Sequence, residues 1–363
     1  MINVLTKVIA LFNSYPDITK MGFLSSFFTV TPDSFTDAEF ADLDEIYEGE
    51  ELAPAVTDLS TGAVTLVEEK FVNKQIPFPV IALRSPVQIA NLMKRQPGES
   101  ALVTETVNWF SRLAAQIVKK FARMTNMVRR SMEEQAAQVL QTGDITLTDE
   151  NGKEAFKLGL EPASSHFPRV TTPWSNIDKA DPLGDIDTLA DRIRDNGLVD
   201  VENLIFGKNA WLNFIKNEWV KENLKQDALA TGQLSPQIMD KGGKRMGYVD
   251  YGANRYILWT YNASYTPFGT KDKKKFIDPD NVIFLPDPAS LDFRRLFGGI
   301  PTVRLNPTFE QLLGADKVQI GNDYDIRPRV FWSDDQEAYI AEIKSRPLML
   351  PVSMSRFGCL KTN

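Results

Sequence analysis

Hydrophobic and polar positions divide the chain into stretches of different period. From Val103 to about Leu140, the apolar residues Val103, Val107, Phe110, Ala114, Ile117, Phe121, Met124 and Val128 recur in steps of four and three. That spacing predicts a helix with one buried face. At 1.5 Å per residue it would be roughly 57 Å long, wider than most small domains. Pro97-Gly98 precedes it, Ser100 is placed to cap it, and Gly143 stops it. Residues 60–98 alternate instead, as at Val64-Thr65-Leu66-Val67 and Ile76-Pro77-Phe78-Pro79-Val80-Ile81-Ala82-Leu83. Prolines at that spacing exclude a central strand, so an extended two-stranded loop with irregular edges is expected.

Beyond the long helix, Asp144–Thr148, the turn Asn151-Gly152 and Lys153–Leu160 form the strongest hairpin signal. A loop with Pro162, Pro168, Pro173 and Pro182, anchored by Trp174, marks a domain crossing. Asp185 to about Pro286 reads as a separate α/β unit. Its helices are expected at Ile186–Asn196, closed by Gly197, and at Ala210 to about Gln226, with Trp211, Phe214, Ile215 and Trp219 at helical spacing. Its strands are Val201–Phe206, Met246–Val249, Arg255–Tyr261 and Asn281–Leu285. The run Lys271-Asp272-Lys273-Lys274-Lys275 reads as a solvated loop tip, and the Trp and Tyr residues as core. From Tyr324 on, strands Arg329–Trp332 and Ala338–Ile343 flank a turn at Asp334-Asp335, and Pro347–Val352 is the last apolar element. The fold class is α+β.

Charge adds two features. The chain has 363 residues and a net charge of −7, which does not suggest a general nucleic-acid binder. Between Lys20 and Lys70 there is no Lys or Arg, while Asp33, Asp37, Glu39, Asp42, Asp44, Glu45, Glu48, Glu50, Glu51, Asp58, Glu68 and Glu69 accumulate beside Phe23, Phe27, Phe28, Phe35 and Phe40. Two readings fit: a solvated tail, or an arm whose aromatics and carboxylates need a neighbour's surface. A disordered tail would be poorer in Phe and Leu. On the long helix, Arg112, Lys119, Arg123 and Arg130 fall in one band opposite the apolar stripe. This is either a solvated cationic face or a surface that meets a neighbour's acidic arm or the phosphates of enclosed DNA.

Catalytic chemistry is hard to assemble. With one histidine, His166, expected in a loop, and one cysteine, Cys359, the usual zinc ligand sets cannot form. A single cysteine also excludes an intrachain disulfide and fits a reducing compartment. No nucleophile elbow accompanies any serine. Lys241-Gly242-Gly243-Lys244-Arg245-Met246-Gly247 lacks the Walker pattern. Asp42-Leu43-Asp44-Glu45 lacks the glycine of a calcium loop. Asp334-Asp335 sits at a turn, where Asp is common. A glycosidase-type carboxylate pair stays open, but nothing singles one out. No cofactor, metal or enzymatic activity is expected. Neither a convincing leader nor an apolar run of the ~18 residues a membrane span needs is present.

The order of elements resembles the lambda-type major capsid protein family of tailed bacteriophages, with the Hong Kong-97 fold. The motifs that carry the resemblance are Phe23-Leu24-Ser25-Ser26-Phe27-Phe28, Ile76–Leu83, Arg129-Arg130 to Leu140, Asn203-Leu204-Ile205-Phe206, Lys275–Asn281 and Ser345–Leu350. The resemblance implies an N-terminal arm at 1–45 and an extended E-loop at 46–100. It implies a peripheral domain with a spine helix at 101–180, an axial domain at 181–300, and peripheral return strands at 301–363. It implies a subunit that self-assembles through pentamers and hexamers into an icosahedral head shell. That shell encloses double-stranded DNA without reading its sequence. Scaffold, portal and decoration proteins are the implied partners, with assembly in the host cytoplasm and residence in the virion. No membrane is implied, and no covalent crosslink is expected. Two alternatives are an encapsulin-like cargo shell and a carboxylate-based hydrolase.

Overall fold

The computed structural model describes residues 22–31, 34–36, 40–46, 71–88, 109–225, 242–300 and 326–363. The expected cap at Ser100, the helix positions Val103 and Val107, the alternation at Val64–Val67 and the helix end near Gln226 lie outside them. After a 3-10 turn at Leu24–Phe27, β1 (Phe40–Ile46) pairs antiparallel with β2 (Phe71–Pro77), and β3 (Ile81–Gln88) follows. Helix α1 (Trp109–Thr142) leads into the hairpin of β4 (Asp144–Thr148) and β5 (Glu154–Gly159). Next come α2 (Pro182–Gly197), β6 (Val201–Phe206), α3 (Lys208–Phe214), α4 (Glu218–Asn223), β7 (Leu224–Lys225), β8 (Lys244–Tyr251) and β9 (Asn254–Thr260). The short strands β10 (Ser264–Tyr265) and β11 (Lys274–Lys275) precede β12 (Asn281–Pro286) and β13 (Phe293–Phe297). The chain closes with β14 (Arg327–Ser333), β15 (Ala338–Ser345), β16 (Pro347–Pro351) and β17 (Gly358–Lys361).

A six-stranded sheet in the order β17-β12-β6-β9-β8-β7 organises the molecule. Its strands β6 and β12 are apolar on both faces, and alternation sends their successive residues to two different cores. Leu204, Phe206, Leu258, Val282 and Phe284 face one core with Ile186, Leu189 and Ile193 of α2 and Phe214 of α3. Ile205, Trp259, Ile283, Leu285 and Cys359 face the other, which contains α1.

Helix α1 has 34 residues and is about 51 Å long. Its first half buries one stripe, including Leu113, Ile117, Phe121, Met124 and Val128, as the periodicity predicts. From Met132 the helix is buried nearly all round, with Glu133, Gln135, Ala136, Ala137, Val139, Leu140 and Gln141 all inside. Gln141 accounts for its burial by bonding on every side. Its amide donates to the carbonyls of Ala137 and Phe276, and its carbonyl accepts from Asp278 N and Asn281 Nδ2.

Three sequence expectations need correction. The helix expected from Ala210 onward is two helices, broken at residues 215–217. Phe214 and Val220 are both fully buried, and six residues of unbroken helix would turn them about 120° apart. Asn217 takes an extended conformation (ψ 136°), and its side chain donates to Ala180 O at 3.2 Å. The left-handed residue closing α2 is Leu198 (φ 54°), not Gly197. Gly197 is needed for close packing, because a Cβ there would lie 2.6 Å from Ser355 O. Finally, the Pro77–Pro79 interruption separates two sheets. Strand β2 belongs to the β1–β2 ribbon, whereas β3 is the edge of the sheet β14-β15-β3, where Pro86 is tolerated. Two further strands have no counterpart in the sequence pattern: β13, which pairs with β16, and β17, which pairs with β12.

Candidate assembly surface

Residues 23–29 are held in a socket built from distant elements. The 3-10 turn at Leu24–Phe27 leaves its first amides without partners inside the turn. Glu133, on the buried part of α1, accepts from both Leu24 N and Ser25 N at 2.9 Å and so caps the turn from 108 residues away. The partial positive charge of those amides suits a carboxylate. Arg295 of β13 donates to Ser25 O at 2.5 Å. Beyond the turn, Thr29 N donates to Phe293 O at 2.8 Å and Arg295 N to Thr29 O at 2.9 Å, laying the segment along β13.

The aromatic residues complete the socket. Phe23 packs on Trp259 and Tyr261, with ring centroids 5.4 and 5.5 Å apart. Its ring lies against Gly243, where an added Cβ would come within 2.4 Å. Phe28 stacks on Phe293 and Phe35 on Phe297. The expectation that these aromatics need a neighbour's surface is therefore corrected: Phe23, Phe27 and Phe28 are buried within their own subunit. The Tyr261 hydroxyl is buried beside Glu133 but forms no well-aligned hydrogen bond. Burial, reinforced by the Glu133 charge, pushes its ionisation far above the usual phenol range.

The predicted cationic band lies along the outer side of α1. Lys119 and Arg123 are exposed, and Arg112 and Arg130 are half-buried. Eighteen residues separate the first from the last, about 27 Å along the axis. The helix lines these four residues up without gathering them into a pocket. Sequence reading missed Lys120, which ties α1 to β3 by donating to Ser85 Oγ at 2.9 Å and to Pro86 O. Its ammonium pKa is lowered, first by burial and then by Arg123. A Lys one position off the band gave no signal in a helical wheel.

The other residues singled out in the sequence have structural roles. His166 lies in a 3-10 turn rather than an open loop and is fully buried, with Nδ1 3.0 Å from Phe357 O and Nε2 2.9 Å from Asn196 Nδ2. The Nδ1–H tautomer fits both contacts, with Nδ1–H donating to Phe357 O and Nε2 accepting from Asn196. Cys359 is buried in β17, and burial pushes its thiol up to about 12. Asp334 accepts from Trp332 Nε1 at 2.7 Å. Of the glycines at 242–247, Gly242 takes φ +92° and Gly243 seats Phe23. Among the described residues, no cluster of His, Cys, Asp or Glu could hold a metal ion, and no helix is long and apolar enough to cross a membrane.

Known proteins share this arrangement. A prophage protein of E. coli CFT073, assigned as its capsid protein, matches with a TM-score of 0.66 at 15% identity, covering 99% of this chain and 98% of that one. A phage-related protein from Bordetella bronchiseptica RB50 gives 0.50 at 11% identity, covering 98% and 96%. These likenesses establish the fold, that of Hong Kong-97-type phage capsid proteins. The family model of phage major capsid protein E matches residues 6–354. The chain belongs to this family. No curated protein sequence matches it. The capsid protein is thus a head-shell subunit of a tailed phage, its role structural and its place the capsid of the virion. Membership of a phage head family favours this reading over an encapsulin-like cargo shell. The socket and the cationic band belong to a molecule that works by contacting its own copies.

Proposed function

We propose that the capsid protein divides its labour among an N-terminal arm (1–45), an E-loop (46–100), a peripheral domain (101–180 with the return strands 301–363) and an axial domain (181–300). The two cores on opposite faces of the six-stranded sheet support that division. Two exchanges stitch the parts together. Strand β17 from the end of the chain joins the sheet of the axial unit, and β13 pairs with β16.

In this reading, subunits associate through heterologous contacts that close rings of five and six around the shell axes. Each contact is modest, and many together make the closed shell hard to dissociate. The band Arg112, Lys119, Arg123 and Arg130 is one such contact, receiving an acidic surface of a neighbour. The observation that carries this role is its geometry: a cationic line of about 27 Å on the outer side of a helix whose opposite face is buried. Assembly takes place in the bacterial cytoplasm, with scaffold, portal and decoration proteins as partners. The shell holds double-stranded DNA without reading its sequence. The net charge of −7 limits adhesion to phosphates. No catalytic step is assigned.

Negative-stain microscopy of the expressed protein tests this. Wild-type protein, co-expressed with scaffold where needed, should form hollow particles. Replacing Arg112, Lys119, Arg123 and Arg130 together by Gln should impair particle formation while leaving the subunit soluble. Unchanged assembly would dismiss the role of the band.

A further inference from the structure

One feature contradicts the acidic character of the chain. Strands β10 and β11 pair at Ser264↔Lys275 and Tyr265↔Lys274, making a finger whose tip is residues 266–273. Its root is rigid. Tyr265 stacks on Phe276 at 4.8 Å and donates from its hydroxyl to Glu134 Oε1 at 2.9 Å. The tip is ordered as well: Thr270 donates from its amide and its hydroxyl to Pro267 O at 3.2 and 3.0 Å. This ordered tip carries Phe268, 64% exposed, and the exposed lysines Lys271 and Lys273, with exposed Lys274 and Lys275 following in β11. Lys275 donates to Asn262 O. Lys271 and Lys273 form no ion pair or hydrogen bond among the described residues. A solvated tip needs neither a braced root nor an exposed phenylalanine.

A complementary face exists on the same chain. In the β1–β2 ribbon the register is Phe40↔Pro77, Asp42↔Gln75 and Asp44↔Asn73. Alternation places positions 40, 42 and 44 on one face and 41 and 76 on the other. Ala41 and Ile76 are buried, whereas Phe40 is 42% exposed. The face bearing Phe40 therefore combines an exposed aromatic with two aspartate positions. Its β2 positions are Asn73, Gln75 and Pro77, and Lys74 falls on the opposite face.

We infer that the finger Phe268–Lys275 of one subunit docks on the Phe40–Asp42–Asp44 face of the β1–β2 ribbon of a second copy. Phe40 and Phe268 are both exposed within the subunit, so they do not cover each other there. The pairing satisfies two needs at once: two aromatics lose their water, and lysines meet carboxylates. It is head-to-tail, with different patches on the two partners, which is the form of contact that closes rings. Opposite charge also fixes register and suppresses wrong pairings. A duplex backbone would take the lysines but offers no apolar cover for Phe268. The inference rests on the self-assembly of the family and adds which two surfaces meet.

The test uses full-length chains and three variants. The finger variant carries Lys271→Glu, Lys273→Glu and Lys274→Glu, and the ribbon variant carries Asp42→Lys and Asp44→Lys. The third chain combines both sets. All positions are on exposed turns or a two-stranded ribbon, and far-UV circular dichroism checks that each chain folds. Each single set should cut the yield of sedimenting particles by about tenfold or more, since like charges then face each other. The combined chain should recover most of the yield. Normal yield from the finger variant, or no recovery in the combined chain, overturns the inference. So does a finger variant that assembles normally but loses binding to DNA of random sequence, which would make phosphate the ligand. A second measurement needs no particles: a Lys273→Cys chain mixed with an Asp44→Cys chain should give a disulfide-linked two-chain species under mild oxidation. The native Cys359 is buried and does not compete. Absence of that species overturns the docking. Failure of the wild-type chain to form particles would instead count against self-assembly itself.

Discussion

Removing the Glu133 carboxylate should free the arm without unfolding the subunit. Both of its hydrogen bonds are 2.9 Å long, end on backbone amides, and lie in a fully buried site. Glu133→Ala leaves two buried N–H groups without acceptors, at about 1–3 kcal/mol each, so about 4 kcal/mol in total is expected. At 1.4 kcal/mol per factor of ten, amide exchange at Leu24 and Ser25 should speed up about a thousandfold if the turn opens locally. Glu133→Gln keeps one acceptor oxygen but presents an N–H₂ to the second amide, so about 2 kcal/mol and a roughly thirtyfold effect are expected. Hydrogen-exchange mass spectrometry on a peptide spanning residues 22–31 reads both. Tyr261→Phe is the control: it removes a buried hydroxyl that makes no well-aligned hydrogen bond to Glu133 and should be close to neutral. Unchanged protection in Glu133→Ala would refute the cap. An equal rise in exchange across β6, β9 and β12 would show that Glu133 supports the whole fold rather than the arm.

Gly243→Ala should weaken the same socket from the other side, because its Cβ would strike the Phe23 ring, and arm protection should fall with little change in α2. Gly197→Ala should destabilise by about 1–3 kcal/mol in urea unfolding, since the new methyl meets the backbone at Ser355 rather than a movable side chain. Burial raises the Glu134 pKa despite the Tyr265 hydrogen bond. The native state then holds the proton more tightly than the unfolded chain, so stability falls as pH rises through and above the ordinary glutamate range. Glu134→Gln should therefore raise the urea midpoint at pH 7–8 and give a smaller gain near pH 4; an equal gain at both would refute the charge argument. Cys359 should resist thiol reagents at pH 8 in the native protein and react only in denaturant, because its thiol is held near 12 by burial.

Much of the architecture was legible because long-range packing here follows local period. The α1 stripe, the β4–β5 hairpin with Gly152 at φ +77°, and β6, β12 and β15 all lie where the sequence places them. What escaped had no local signal. Strand β17 is four residues long, and its partner β12 lies some eighty residues earlier. The break between α3 and α4 is decided by which side chains the sheet must bury, not by helix propensity. Glu133 reads as one more charge on a charged helix, and nothing nearby in sequence says that it caps a turn at Leu24. Gly243 looked like part of a failed phosphate loop until its neighbour proved to be Phe23. The cationic band was legible as a line but not as an interface, since periodicity gives a face and not its occupant.

The socket changes where the drive for assembly must come from. If Phe23, Phe27 and Phe28 covered a neighbour, shell formation would draw on three buried rings per contact. They are already buried at home, so their removal from water contributes nothing further when copies meet. Among the described residues, exposed apolar area is carried by separate side chains, among them Val80, Phe268, Phe40 and Trp332. In contacts built on such side chains, charges give register and encounter rate more than affinity. A shell built from them gains stability by multiplying weak contacts, and salt should weaken it most where lysines meet carboxylates. The buried arm then serves a different purpose. Anchored by Glu133 on α1 and Arg295 on β13, it fixes where residues 24–29 lie on the core of their own subunit.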